Sequence, residues 1–200
     1  MAQTDKAFQA KINIFEATVR LLADNDYSSL TMRRICEAAG ISNGTLYHYF
    51  KSKNDILAFS LRYIYETFLT NYNTESLMPQ ERVLELYVYV ARRFMEFGLG
   101  FVSNFMDIRN QALNIDYLLQ SEEDGMIAAF FMQSLQGVKD SGCLKQGTEV
   151  RKIYDDLNVI FYGALFYWGL CGGHFDLESY MRSIIEIHFN QYLMPACKLK

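Results

Sequence analysis

An all-α chain is predicted by three features of this 200-residue sequence. Apolar residues recur at three- and four-residue steps through most of it, the spacing that lines one face of an α-helix. The runs are separated by residues that stop or start helices: Asp24 to Asp26, Gly40, Pro79, Gly98 and Gly100, Gly142 to Gly147, and Gly172-Gly173. Finally, the stretch 31–53, TMRRICEAAGISNGTLYHYFKSK, reads as helix, glycine turn and helix. About nine helices are expected. Residues 1–51 make a three-helix head with a helix-turn-helix at 31–50, and residues 52–200 make a larger helical body.

The first helix is expected over 4–24, where Phe8, Ile12, Phe15, Val19 and Leu22 share a face. Tyr27 and Leu30 should plug the base of the head. Thr31 N-caps the second helix, because its hydroxyl can accept from a free amide of the first turn. Ile35, Ala38 and Ala39 give that helix a narrow apolar stripe. Gly40 suits the turn because it tolerates positive φ. Ile41 drops into the core, Ser42 is the next N-cap, and Asn43 to Phe50 form the third helix.

At about 100° per residue, Leu46, Tyr49 and Phe50 lie on one side of that third helix, with Ser42. Gly44, Thr45, Tyr47 and His48 point the other way. An outward face of no side chain, hydroxyl, phenol and imidazole packs poorly but suits phosphate oxygens and base edges. The absent side chain of Gly44 permits close approach of the backbone to a groove wall. The partial positive charge of a helix N-terminus favours a nearby phosphate.

The run Leu30-Thr31, Ile35, Ala39-Gly40-Ile41-Ser42, Gly44-Thr45-Leu46-Tyr47, Tyr49-Phe50 and Lys53 resembles the DNA-binding domain of the TetR family of transcriptional regulators. The resemblance spans residues 8–68 without a gap. It implies an all-helical homodimer with a helix-turn-helix head, and a helical body that binds a small molecule and sets the spacing of two heads. Thr31, Thr45, Tyr47 and Lys53 are the expected phosphate contacts. Asn43, Gly44 and His48 are placed for base edges, beside the Ser42 cap. Arg33 points outward from the second helix, with Arg34 at its flank. The third helix has no arginine for bidentate reading of guanine.

A fourth helix, capped by Ser52 and running to about 72, links head to body with Ile56, Leu57, Ser60, Leu61, Ile64 and Phe68 on one edge. A polar loop over 71–78 follows. Pro79 opens the fifth helix, where a missing amide costs nothing. Gly98 and Gly100 are expected to break it. A sixth helix is expected over 101–113, a connection over 114–120 and a seventh helix over 121–141. The last two helices are expected over 148–170 and 177–193. The first of these is apolar nearly all round between Leu157 and Leu170, which suggests burial on every side and so a second subunit. Ile160, Gly163, Ala164, Tyr167, Ile184, Ile185 and His188 are the expected contacts of a four-helix bundle between two copies.

The body is rich in aromatic residues. Tyr65, Phe68, Tyr87, Phe94, Phe97, Phe101, Phe105, Phe130, Phe131, Tyr162 and Phe166 are candidates for lining an apolar effector pocket, with Arg109 placed to pair with a carboxylate on the effector. The competing reading of the same residues is packed core.

Formal charge is −4 and half the residues are hydrophobic. An acidic chain argues against a generic nucleic-acid binder. The distribution differs locally: over 31–53 four cations (Arg33, Arg34, Lys51, Lys53) face the single anion Glu37. A basic edge on an acidic body orients the molecule toward DNA. Cys36, Cys143, Cys171 and Cys197 form no Cys-x-x-Cys pair, which predicts a reduced, cytoplasmic chain. The polar start MAQTDKAFQAK predicts no signal peptide, and the longest apolar run is too short to span a membrane. Cys171 and His174 supply two ligands where a structural zinc needs four, so no metal or cofactor is expected. No catalytic constellation stands out. The expected function is therefore a homodimeric repressor released from a near-palindromic operator by a small, largely apolar effector. The alternatives are a constitutive regulator or activator without a pocket and, more remotely, a helical small-molecule carrier or enzyme.

Overall fold

The structure, a computed structural model, describes residues 2–24, 30–107 and 126–199. Within them the chain forms eight α-helices. The first three are α1 (Ala2–Asp24), α2 (Met32–Ala39) and α3 (Asn43–Tyr49). The linking helix α4 spans Lys53–Asn71, and α5 spans Pro79–Phe105. The remaining helices are α6 (Met126–Asp140), α7 (Val150–Leu170) and α8 (Leu177–Phe189). A 3-10 turn at Thr74–Ser76 precedes α5, and another at Pro195–Cys197 closes the described chain.

Local chemistry sets the ends of the short helices. The Thr31 hydroxyl accepts from the Arg34 amide at 3.2 Å and Ser42 Oγ accepts from the Thr45 amide at 3.1 Å, each removing one orphan donor. Gly40 sits at φ 67°, and Ile41 N–H donates to Cys36 carbonyl at 3.0 Å, which closes α2 with a left-handed cap. At α4, Ser52 and Asp55 cap each other: the Asp55 amide donates to Ser52 Oγ at 3.2 Å, and Asp55 Oδ2 accepts from both the Ser52 and Lys51 amides at 3.0 Å.

The fifth and sixth helices expected from sequence are one element up to Phe105. The chain leaves helical geometry at Gly98 (φ 84°, ψ 170°) and resumes at once. The cause is packing: Phe94, Phe97, Phe101 and Phe105 are all buried, so the same apolar face continues through the kink. The expected helix beyond residue 107, the connection over 114–120, the start of the seventh helix, Tyr27 and Arg109 lie outside the described residues. The stripe assigned to α2 also shifts: Ile35 and Cys36 are buried, whereas Ala38 is exposed.

Helix α5 is the axis of the body, packed against α1, α4, α6, α7 and α8. Two reciprocal arginine–glutamate pairs tie it to α8. Arg92 holds Glu178 through Nε at 2.8 Å and Nη2 at 2.5 Å, and Arg182 holds Glu85 at 2.7 and 2.9 Å. Such two-point pairs fix orientation as well as distance. The Arg92 hydrogen bonds lower the pKa of the Glu178 carboxyl, so this pair stays ionised to a lower pH than a free glutamate would allow.

Head and body share an aromatic joint. Phe15 of α1 is fully buried, its ring 6.0 Å from Phe59 and 5.3 Å from Tyr63 of α4, and 5.2 Å from Phe97 and 5.8 Å from Phe101 of α5. Beside it Gly100 lets α5 touch α1: a Cβ there would lie 2.0 Å from the Leu22 carbonyl oxygen. The α4 link read from sequence is thus accompanied by a direct α1–α5 contact.

The cysteine expectation fails at two of four positions. Cys143 and Cys197 form a disulfide that joins the turn after α6 to the C-terminal tail across 54 residues. Backbone bonds bring the two strands of chain together: Met194 N–H donates to the Cys143 carbonyl at 2.8 Å and Lys145 N–H to the Tyr192 carbonyl at 2.9 Å. Cys36 and Cys171 are free thiols. Among the described residues no helix is long and apolar enough to cross a membrane, and no cluster of three potential metal ligands occurs.

Candidate nucleic-acid interface

Helix α3 is seven residues long and turns one side chain into the core. Leu46 is fully buried, Phe50 follows it inward, and Tyr49 packs at the edge. Ser42, Asn43, Gly44, Thr45, Tyr47 and His48 are all exposed, so the outward arc is the one the spacing predicts. The Ser42 and Thr45 hydroxyls lie 2.9 Å apart and hold one another. The His48 ring meets Tyr49 edge-on at 4.9 Å, which fixes its direction along the helix. Tyr47, the largest exposed side chain of the arc, is more than half exposed.

A Cβ on Gly44 would meet nothing closer than Ser42 Oγ at 3.8 Å, and φ there is not positive. Neither packing nor backbone geometry therefore requires glycine at this place, in contrast to Gly40. Arg33 is paired with Glu37 at 3.0 Å, but both side chains are largely exposed. An exposed pair of this kind contributes at most about 1 kcal/mol, so its guanidinium can exchange partners for a phosphate at little cost.

Of the other cations Lys51 is exposed, whereas Lys53 and Arg34 are half-buried. Lys53 Nζ lies 3.5 Å from the Leu30 carbonyl, which places its ammonium beside the start of α2 and close to Thr31. Arg34 is half-buried, with its amide on the Thr31 cap. One contact was not read from the sequence: the buried Cys36 thiol donates to Asn43 Oδ1 at 3.1 Å, tying α2 to the first residue of α3. Burial pushes the Cys36 thiol up, with the nearby Glu37 adding to the shift, so it keeps its proton at neutral pH. The only sequence signal for this contact was a small buried-type residue one step from the apolar stripe.

The aromatic candidates for a pocket separate into four groups. Phe94, Phe97, Phe101 and Phe105 are buried against one another, with Phe94 and Phe105 centroids 4.6 Å apart, and Phe68 is buried against Tyr72, Tyr89 and Phe130. They belong to the packed core. Tyr87, Phe131 and Tyr162 do line one, a cavity of about 30 Å³ between α4, α5, α6 and α7. Tyr65 and Phe130 meet edge-on, centroids 5.6 Å apart. Phe166 is a correction. It is 53% exposed on the opposite arc of α7 and cannot face an interior pocket.

That opposite arc is the apolar surface of the body. Val159, Phe166, Tyr167 and Leu170 of α7 are exposed, as are Tyr180 and Ile187 of α8. Gly163 is exposed among them, and Ile160, Ile184 and His188 are half-buried. Two expected contacts of a second copy do not belong here: Ile185 is fully buried inside the chain, and Ala164 is 7% exposed. A helix apolar all round does not reveal which arc its own chain covers, and here the chain covers the arc of Ile153, Leu157, Phe161 and Leu165. A much larger, open cavity of about 550 Å³ lies between the start of α5, α8 and the C-terminal tail, where the Arg182–Glu85 pair forms part of its wall.

Residues 14–58 match the family of bacterial regulatory proteins described as tetR. The fatty acid metabolism regulator protein of Bacillus subtilis (strain 168) is 22% identical over 180 residues, which cover 88% of this chain and 92% of that protein. Two solved structures share the fold. One is described as the molecular basis for control of antibiotic production by bacterial hormones, with a TM-score of 0.67, 18% identity, and coverage of 93% of this chain and 98% of that one. The other is Thermus thermophilus FadR, a TetR-family transcriptional repressor in complex with lauroyl-CoA, with a TM-score of 0.62, 16% identity, and coverage of 95% of this chain and 98% of that one.

Proposed function

We propose, from the premise that this chain belongs to the TetR family of bacterial transcriptional regulators, that it is a homodimeric repressor which a small, largely apolar effector releases from a near-palindromic operator. The observation that carries the reading is Gly44 on the exposed arc of α3, a glycine that the fold does not need and that a groove wall would. Thr31, Thr45, Tyr47, Lys53 and Arg33 hold phosphates in this reading, and Asn43 and His48 reach base edges. The work of the protein is then done in the cytoplasm, where the operator is.

Two heads are needed to read a two-fold site, with half-sites about one helical turn or more apart. The exposed apolar arc of α7 and α8 supports a second copy at that face, since contiguous exposed apolar side chains mark association surfaces. The domain division is taken at residues 51 and 52. The aromatic joint around Phe15 supports a mechanical route from body to head through α1, α4 and α5 together. An effector acts only by binding more tightly to a state whose heads misfit the operator.

The test is selection from random duplexes at low salt, followed by footprinting upstream of the gene. A protected near-palindrome is expected, and no enriched duplex would count decisively against the reading. A second reading, a regulator that needs no effector, is favoured by one observation: the cavity lined by Tyr87 and Phe131 has room for about one water molecule. Melting curves across a compound library separate the two, because a ligand-free body gives no compound-specific rise.

A further inference from the structure

The tail after α8 is held at two ends and latched between them. At its start Leu193 is fully buried, and Met194 N–H donates to the Cys143 carbonyl at 2.8 Å. At its end Leu199 is buried, and its backbone exchanges two hydrogen bonds with the Asn190 side chain, at 2.8 and 3.2 Å. Between these anchors Pro195, Ala196 and Lys198 are exposed and Cys197 is half-buried. The disulfide from Cys197 to Cys143 is what ties this middle stretch to the turn after α6. Cys143 is itself half-buried, next to the exposed Gly142. A small thiol can therefore reach the bond without unfolding the body.

The latched stretch is also a wall. Ala196, Cys197, Lys198 and Leu199 close one side of the open cavity of about 550 Å³. Facing them are Tyr72, which ends α4, and the Arg182–Glu85 pair, which fixes α8 on α5. With the tail released, more water reaches that pair, and an ion pair weakens as its surroundings become more aqueous. Helix α8 carries Tyr180 and Ile187 of the exposed apolar arc. A looser α8 blurs the spacing of two heads joined at that arc. The compartment gives the bond its meaning. A regulator that works on DNA in the cytoplasm sits among reducing thiols, where disulfides are transient or redox-sensing rather than permanent staples.

We infer that Cys143–Cys197 is a reversible redox site for low-molecular-weight thiols and disulfides, and that the oxidised form is the one that grips the operator. The inference rests on the operator and dimer readings above and adds a second input to them. Two molecules of a small thiol supply the two electrons. The thiolate of the first attacks Cys197 Sγ, the S–S bond breaks, and Cys143 leaves as a thiolate that takes up a proton. The thiolate of the second attacks the small-molecule sulfur of the mixed disulfide, and Cys197 leaves and is protonated in turn. The products are two cysteine thiols and one small-molecule disulfide, with both protons drawn from the reacting thiols. The small-molecule disulfide reverses both steps.

The test equilibrates the full-length folded protein in glutathione buffers of graded ratio of thiol to disulfide. Each sample is alkylated in denaturant and weighed by mass spectrometry, and its affinity for the selected operator is read by gel shift. Alkylated thiols per chain should rise from two to four while the circular dichroism of the folded protein stays unchanged. Operator affinity should fall about tenfold with the same midpoint, a typical coupling between two sites, and return when glutathione disulfide is restored. Cys143→Ser and Cys197→Ser should stay at the reduced affinity whatever the buffer, and Cys171→Ser should keep the response. If neither Cys143→Ser nor Cys197→Ser folds, the wild-type titration decides. A bond that opens only in denaturant, equal operator affinity of the two forms, or a response that survives Cys197→Ser overturns the inference and leaves the operator reading intact. Failure of both forms to bind any duplex removes the operator reading, and this inference with it.

Discussion

The Cys36 thiol donates to the Asn43 side-chain oxygen at 3.1 Å and so joins the buried face of α2 to the exposed tip of α3. With its oxygen occupied, Asn43 presents its two amide protons outward, a donor suited to acceptors on bases or phosphates. Cys36→Ala removes the tie and should weaken operator binding about threefold to tenfold, the range of one lost hydrogen bond. Cys36→Ser keeps a donor at the same place and should restore most of that loss. Gel-shift titrations on the selected operator read both. Equal affinity of the alanine and wild-type proteins would mean that the thiol orients nothing.

Gly44 invites the opposite kind of test, one in which stability and function move apart. Nothing inside the chain obstructs a methyl group at this position. Alanine in a helix is favoured over glycine by about 1 kcal/mol, so Gly44→Ala should raise the melting temperature by about 2–4 °C. If the backbone approaches a groove wall here, the same change lowers DNA affinity, and Gly44→Leu lowers it more. Calorimetry paired with affinity measurements shows whether the two properties separate. Unchanged DNA affinity in Gly44→Leu would remove the groove-wall argument.

Gly100 is the joint between head and body, and there a methyl group has no room. Its Cβ would stand 2.0 Å from the Leu22 carbonyl oxygen, a backbone atom that moves only if α1 moves. Gly100→Ala should destabilise the protein by about 1–3 kcal/mol through overpacking. It should also loosen the coupling of body to head, read as a smaller drop in operator affinity when effector is added. A variant as stable as wild type would show that α1 and α5 part without cost.

What could be read from the chain in advance was local. Thr31, Gly40, Ser42, Ser52 and Pro79 act within a turn of their own position, and each does in the structure what its chemistry predicts. The continuation of α5 was also legible, had Phe94, Phe97, Phe101 and Phe105 been weighed above Gly98: their spacing does not change phase at the kink. Contacts between distant segments were not legible. Nothing near Gly100 in sequence announces Leu22, and nothing near Cys143 announces Cys197. The exposed arc of α7 was hidden for a different reason, since an all-apolar helix has no polar side to mark which way it faces.

The Cys143–Cys197 bond makes a countable prediction. Unfolded without reductant, the oxidised protein should yield two reactive thiols per chain, from Cys36 and Cys171; four would contradict the structure. Closing a loop across 54 residues restricts the unfolded chain by about 4 kcal/mol in the entropy account. Cys143→Ser should therefore lower the melting temperature by up to about 15 °C, less if the buried Leu193 and Leu199 hold the tail unaided.

On the proposed reading, the outer arc of α7 is the face that joins two heads into one unit. Val159, Phe166 and Leu170 are 73%, 53% and 68% exposed, and lie about two turns and then one turn apart along the same side. On a lone chain this arc is apolar surface in water; between two copies it is core, at about 25 cal/mol for each Å² removed. A charge placed there costs little in the monomer and much in the dimer, where it is buried without a partner. Phe166→Glu should therefore leave the helical content and intra-chain packing intact while shifting the protein toward monomer at micromolar concentration. Operator affinity should then fall by far more than any single head contact accounts for, because the second head no longer binds at high effective concentration. Sedimentation velocity and gel-shift titration on the same samples check both halves. A Phe166→Glu protein that still sediments as a dimer would move the interface to another face.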